Sequence, residues 1–534
     1  MIKVKNRDNL YFEGMDPWEN AISRKKLSLL KNSWAEVFRQ HILPHMPVRQ
    51  VAAHFDKTTG RPTKELVSTC GACVLQQIFD LTDNETIDQL AFNQQWHYAV
   101  DVLDQEDQVL SLKTLWNMRK LLTTDKTAGK IFNDATDKLS KVYQVDKSLQ
   151  RLDSVHIHSN MARLGRVRLL ARVCTNFLVN LKRQHKTEYE NVSESLKSRY
   201  EKVEKPSYFG DCKPSESQKR LTDIAQDISE LINQFKGDAS INASYSFKTL
   251  QRVFSEHCLI KDDRIIVKPD KDVPSDSLQN PSDPDASYDA HKGQGYQVQI
   301  METYSRKTSE DEKPESLELI TYVEVEPAHL SDSNALEPAL QDVEERNLLP
   351  EELEADTLYG GKGNKEKAGK RGVDLIAPMP GKKPKNNLAD FTFDPKTHKV
   401  QQCPHGHAPI KIKTNKKGTM TGIWSEEVCK VCPDFSTCSA KKAKQGFRLL
   451  YSHDEADAAL RRQYEQSDEF KDKYRYRAGI EGTNSRYIHM TGARRMRYRG
   501  LMCVDYAARL KALGINMFRT ARFAAMRTKN PCYA

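Results

Sequence analysis

The sequence predicts an α/β protein: a mixed sheet flanked by helices, preceded by a helical region and interrupted by two long insertions. Three observations predict it. Apolar residues recur at helical spacing through residues 20–145. At Arg151-Leu-Asp-Ser-Val-His-Ile-His158 the texture turns to strand. From there the elements run strand, strand, strand, helix, strand, helix, the order of a mixed sheet covered by helices.

The helical region is read from Leu66 to Leu81, where Leu66, Val67, Cys70, Val74, Ile78 and Phe79 fall on helical spacing. Asn84 and Ser111 open two further helices. Short helices with polar turns suit a DNA-binding or assembly domain, and equally a plain packing domain. After the first strand, a helical insertion spans about 161–260, its Leu169–Leu181 stretch apolar on more than one face. Residues 270–294 read as loop. Strands follow over Tyr296–Met301 and Leu319–Val325, then a helix over Asp332–Glu345 with Ser331 or Asp332 as cap. Leu353–Tyr359 is a strand ending at Gly360-Gly361, and Val373–Ala377 is another. Residues 381–450 are rich in Lys, Pro and Cys, and 451–527 return to helix. This is the order of an RNase H-like core. The parts are an N-terminal helical domain (20–145), the first part of the core (146–380), a Cys-rich insertion (381–450) and the C-terminal helical part of the core (451–527).

The chain has 534 residues, with 83 Lys and Arg against 73 Asp and Glu. The excess is local: Lys471–Ala534 holds fifteen basic and three acidic residues. Tyr, Phe and aliphatic residues interleave with these charges, which points to a polyanion site, the alternative being a solvated basic tail. No run of eighteen apolar residues offers a membrane span, and Met1–Glu19 has no apolar signal core, so a cytoplasmic protein is expected. Asp8–Gly14 resembles a protease-cleavage tag, but Asp8 and Glu13 depart from it, and the stretch is read as native.

Three carboxylates stand out. Asp153 shares a strand face with Val155 and Ile157, where a carboxylate is costly unless it is at the strand end, paired or metal-bound. Asp356 lies near a strand's C-terminal end, where open α/β sheets place their ligands. Tyr474, Arg477 and Glu481 share one face if their segment is helical. Taken singly, each residue also fits a structural role. Four Cys (Cys403, Cys429, Cys432 and Cys438) and two His (His405 and His407) cluster within 36 positions. Four thiolates make a closed tetrahedral zinc site, His407 or His405 being able to replace one; the alternative is free thiols.

Several stretches resemble DDE transposases of bacterial insertion sequences, most closely the group numbered eleven-eighty-two. They are Thr69–Val100, Leu152–Asn160, Ser282-Asp-Pro-Asp-Ala286 with Gly295-Tyr-Gln-Val, Ala355–Gly360, Tyr474–Glu481, Arg497–Leu501 and Gly514–Phe518. The resemblance implies an RNase H-like catalytic domain and a triad of Asp153, Asp356 and Glu481 holding two Mg²⁺ (or Mn²⁺) ions. Two such ions activate a nucleophile and stabilise the leaving oxygen of an in-line displacement at phosphorus. Water would free a 3′-OH, which would attack target DNA. Arg477 and Tyr474 would orient Glu481 or touch the scissile phosphate, the alternative being packing. His156 and His158, on the opposite strand face, fit satisfied structural histidines better than metal neighbours.

The resemblance also implies double-stranded DNA as partner, both the terminal inverted repeats and the target. It implies a homodimer or higher assembly, nucleoid-associated. Arg494, Arg495, Arg497 and Arg499 are the expected phosphate contacts. Lys382–Lys385 and Lys411–Lys417 fit either phosphate contacts or solvated loop. Trp424, inside the Cys-rich insertion, is a candidate to stack on a flipped base, as an aromatic does in hairpin-forming relatives, the alternative being a core residue, as a lone Trp more often is. Two rival readings are a catalytically inactive or domesticated DNA-binding protein and a metal-dependent nuclease without strand transfer.

Overall fold

The structure, a computed structural model, describes residues 2–4, 16–200, 213–262, 264–306, 316–381, 388–415, 418–444 and 446–527. Asp8–Gly14, Lys382–Lys385, Lys416 and Lys417 lie outside the described residues.

Six strands form the central sheet: the short Ser287–Asp289 and β1 (Leu149–His158), β2 (Gly293–Thr303), β3 (Ile320–Pro327), β4 (Glu352–Ala355) and β5 (Asp374–Ile376). Their order is β3-β2-β1-β4-β5, with Ser287–Asp289 added at the start of β2. β1, β2 and β3 pair antiparallel, whereas β4 and β5 run parallel to β1. This is the RNase H-like arrangement, with the expected strands in the expected order. β2 is buried along almost its whole length, as a strand covered on both faces must be.

The two faces carry different cores, and the period of two assigns residues to them. Leu152, Met301, Leu353 and Ala355 pack with two helices, α7 (Leu336–Glu345) and α8 (Lys362–Lys370). Ile157, Val298, Ile300 and Val323 face the N-terminal helices, among them α1 (Leu66–Ile78), α2 (Leu112–Thr124) and α3 (Thr127–Val142). The last helix, α11 (Leu501–Arg527), is inserted in the same core. The N-terminal helices therefore share one core with the sheet and the C-terminal helix. Every residue of α1 is buried, and Glu65 caps it by accepting from the N–H groups of Val67 and Ser68.

Both insertions have their own cores. The first packs α4 (Arg166–Gln184), α5 (Ser217–Phe235) and α6 (Tyr245–His257) together. The second, expected only as a Lys-, Pro- and Cys-rich stretch, is a small β unit of four strands. They are β6 (Lys411–Thr414), β7 (Met420–Trp424), β8 (Lys441–Ala443) and β9 (Gly446–Tyr451), ordered β6-β7-β9-β8. It returns through α9 (His453–Tyr464), opened by a Ser452–Glu455 capping box. No helix among the described residues is long and apolar enough to cross a membrane.

Candidate active site

Asp153 and Asp356 are brought together by strand register. Leu152 of β1 pairs with Ala355 of β4 in parallel, so the next residue on each strand is one of the two aspartates. The expected strand over Leu353–Tyr359 stops at Ala355. Asp356 instead caps a 3-10 turn, Thr357–Tyr359, its carboxylate accepting the Thr357 N–H at 2.7 Å. Asp153 is more enclosed. Burial pushes its carboxyl up, the Arg477 guanidinium and the Ser154 N–H pull it down, and Asp356 and Asp332 push it up again. The net effect is a carboxyl that holds its proton more tightly than a free one.

Glu481 comes from across the sheet face, on α10 (Gly479–Met490). The expected single helix through 474–481 is broken: one helix ends at Tyr474, Arg475–Ala478 form a 3-10 turn, and α10 begins at Gly479. The Arg477–Glu481 pair survives at 3.4 Å, and Arg477 also reaches Asp153 at 3.3 Å. Burial pulls the Arg477 pKa down, but Asp153, Asp356, Tyr474 and Glu481 together raise it. Tyr474 stacks on Phe470 and feels the charges of Arg477, Asp356 and Asp153. Glu481 is the exposed member, with 67% of its side chain accessible against 14% for Asp153.

Several residues at the site were not foreseen. Asn484, three positions after Glu481, donates to Asp153 Oδ2 at 3.2 Å. Its spacing from Glu481 was the available signal. Asp332 is a fourth carboxylate, buried and bonded by Gln299 at 3.1 Å. Beneath α10 lies a buried charge network. Arg151 and Arg519 each approach Glu302 at 2.8 Å, and Thr483 donates to Glu302 at 2.7 Å. Arg151 also donates to the Tyr476 carbonyl at 2.9 Å. Gly479 leaves room for this, since a Cβ there would meet the Arg151 Nη1 at 2.0 Å. Nothing local in the sequence joins Arg151, Glu302, Thr483 and Arg519.

Arg494, Arg495, Arg497 and Arg499 are exposed on the loop between α10 and α11. Arg497 donates to the Asp80 carbonyl and Arg499 to Asn160 Oδ1. Tyr498 among them is a packing residue, its hydroxyl taking a bond from Gln77. The Ser282–Ala286 motif fastens this loop: Asp283 accepts the Gly500 N–H and Asp285 the Leu501 N–H. His156 departs from the satisfied histidine expected. Both its ring nitrogens are buried without a partner among the described residues, and burial pushes its pKa down to about 4.

Cys403, Cys429, Cys432 and Cys438 line one small cavity in the second insertion and carry no disulfide. Burial, then the three neighbouring thiols, pushes Cys429 up to about 11. His405 faces the same cavity but is engaged with Asp434 at 2.8 Å, and the His407 carbonyl accepts the Trp424 indole N–H. Trp424 is a correction. It is 2% exposed and packs edge-on against Phe391 in the insertion's core, so its ring offers no surface to a base. Among the described residues, no three His, Cys, Asp or Glu side chains are already gathered at metal-binding distance.

Comparison with known families finds two matches. Residues 402–521 match the family described as "Transposase DDE domain", and residues 24–121 match a family described as "Transposase domain". The first stretch contains the cysteine cluster and Glu481; Asp153 and Asp356 lie outside both. No curated protein matches the sequence.

Proposed function

Since the chain belongs to the DDE transposases of insertion sequences, we propose that it cuts the ends of its element and joins them to target DNA with Asp153, Asp356 and Glu481. One observation carries this reading. Asp153 and Asp356, both outside the matched stretches, are placed side by side by the β1–β4 register, and Arg477 ties Asp153 to Glu481, which lies inside one.

The donor set fits Mg²⁺ or Mn²⁺. It is made of hard carboxylate oxygens, it repels itself as Asp356 and Asp332 act on Asp153, and its present counter-charge is a guanidinium. When bound, two such ions would supply a deprotonated nucleophile and charge neutralisation at the leaving oxygen. Asp153, Asp356 and Glu481 would be the residues that hold them. The chain's own residues do the rest. Asn484 fixes the Asp153 carboxylate through Oδ2. Arg477, paired with Asp153 and Glu481, would supply the cationic contact to the scissile phosphate. Tyr474, stacked on Phe470 and within the field of Arg477, Asp356 and Asp153, would orient Glu481 or touch the scissile phosphate. The exposed Arg494, Arg495, Arg497 and Arg499 hold the duplex by its phosphates, a sequence-independent and salt-sensitive attraction.

Cys403, Cys429, Cys432 and Cys438 hold a structural Zn²⁺ in this reading. Four soft donors already line one cavity, the ligand set of a closed tetrahedral site. The protein acts on nucleoid DNA, as a homodimer or higher assembly that pairs two element ends.

The test is to incubate the protein with Mg²⁺, a duplex carrying the terminal inverted repeat, and target DNA. Cleaved ends plus joined product are expected. Binding without cleavage overturns the catalytic reading in favour of an inactive DNA-binding protein. Cleavage without joining reassigns it as a nuclease.

A further inference from the structure

A second polar pocket lies away from the carboxylates, where the helical insertion meets the end of β1. Its cavity of about 760 Å³ is lined by Arg163, Gly165, Arg166, His257, Tyr288 and His329, among others. The N-terminus of α4 opens into it. This nineteen-residue helix starts from Gly165, has no side-chain cap and carries no acidic residue in its first turn. Its leading N–H groups and the positive end of its dipole therefore face the cavity without a protein anion.

The side chains around it also lack acceptors. His257 is 2% exposed, and neither ring nitrogen has a partner among the described residues. Burial, Arg166 and Lys268 push its pKa down to about 4, so the ring is neutral and has one N–H to donate. Arg166 gives Nη1 to Asp270 and Nη2 to the Lys268 carbonyl, leaving Nε buried and unpartnered. Arg163 lies over the Tyr288 ring at 3.7 Å, with no carboxylate partner among the described residues. The two carboxylates at the pocket are engaged: Asp270 with Arg166, and Asp289 with the N–H groups of His291 and Lys292. Unsatisfied buried donors converging on one cavity are costly unless an acceptor fills it.

We propose that this pocket is an anion site that seats a backbone phosphate of bound DNA. The identification of the anion with DNA rests on the transposase reading above. The cavity is far larger than one phosphate group, as a stretch of sugar-phosphate backbone requires. It is also continuous with the basic loop, since Arg499 bonds Asn160, three residues before Arg163. Five residues of β1 separate Asp153 from His158, about 17 Å at about 3.3 Å per residue. That is about five base pairs of duplex at about 3.4 Å each, and the pocket begins a few residues further along the chain, at Arg163.

The experiment measures duplex binding across a salt series by fluorescence anisotropy for the wild type, Arg163→Gln and His257→Gln. Arg163 is exposed, so its variant folds even if His257→Gln does not. In Arg163→Gln the slope of log K against log salt is expected to fall by about 0.9, with affinity reduced alike for element-end and unrelated duplexes. An unchanged slope overturns the proposal while leaving the transposase reading intact. The His257 ring is followed in parallel by NMR with duplex and with inorganic phosphate. A response to duplex supports the seat. A response to phosphate alone overturns the DNA source in favour of a free anion. If the wild type binds no duplex, the transposase reading fails, and the phosphate titration alone decides whether the pocket takes an anion.

Discussion

The Arg477 guanidinium stands between Asp153, at 3.3 Å, and Glu481, at 3.4 Å. It holds together two carboxylates from opposite ends of the chain and neutralises them where a divalent cation is proposed to sit. Arg477→Gln is therefore expected to split two properties. Mg²⁺ should bind more tightly, because its internal competitor is gone. The cleavage rate at saturating Mg²⁺ should fall by about tenfold or more, the effect of one charge-assisted contact of about 1.5–3 kcal/mol. Calorimetric metal titration and single-turnover cleavage check the two parts separately.

Asp153→Asn should abolish cleavage and leave duplex affinity unchanged. Because burial and the neighbouring Asp356 and Asp332 raise the Asp153 pKa, the folded state holds its proton more tightly than the unfolded chain. Stability from this group is present below the ordinary carboxylate range and is lost as pH rises through the folded value. Mg²⁺ should therefore raise the thermal midpoint of the wild type more at higher pH. It should have little effect on Asp153→Asn, and scanning calorimetry reads both.

Glu302→Gln leaves Arg151 and Arg519 without their buried counter-charge. A loss of about 3–5 kcal/mol in urea unfolding is expected, as for other broken buried pairs. Thr483 lies on α10 two residues after Glu481, so cleavage should fall in the same variant at temperatures where it remains folded.

Glu354 is buried beside Ala355 and pushed up to about 7 by burial, against the pull of the Tyr304 hydroxyl, Arg306 and Arg151. Its folded pKa exceeds the ordinary 4.5, so its contribution is full below that value and is lost as pH rises through about 7. The urea midpoint should decline over this window, and Glu354→Gln should flatten the decline.

A chelator that strips the zinc proposed for the four cysteines, or replacing Cys429 by Ser, should unfold the second insertion while leaving the sheet intact. Metal analysis should return one zinc per chain for the wild type. Proteolysis should become concentrated within residues 388–451 on its loss.

Much of the central sheet was legible, because strand alternation and helical spacing are local properties. β2, β3 and β5 fall where apolar alternation places them, and Asp153 was marked by its apolar strand neighbours. Trp424 was misread for the same reason. A lone aromatic carries no local mark of burial, and Phe391 and the His407 carbonyl reach it only in three dimensions. The break at Arg475–Ala478 was also hidden, since the helix was only a condition for placing Tyr474, Arg477 and Glu481 on one face, and the Tyr476 carbonyl bonds distant Arg151.

By itself the sequence determined the element order, the three separated carboxylates, the cysteine cluster and the basic character of the C-terminal loop. All of these depend on residue type and spacing along the chain. Only the tertiary structure decided that Asp356 lies beside Asp153, that Arg477 couples Asp153 to Glu481, and that Arg151, Glu302 and Arg519 form one buried network. Those relations depend on parallel register and on the seating of α10 against β1. Contacts across 324 positions, from Asp153 to Arg477, have no local period from which they can be read.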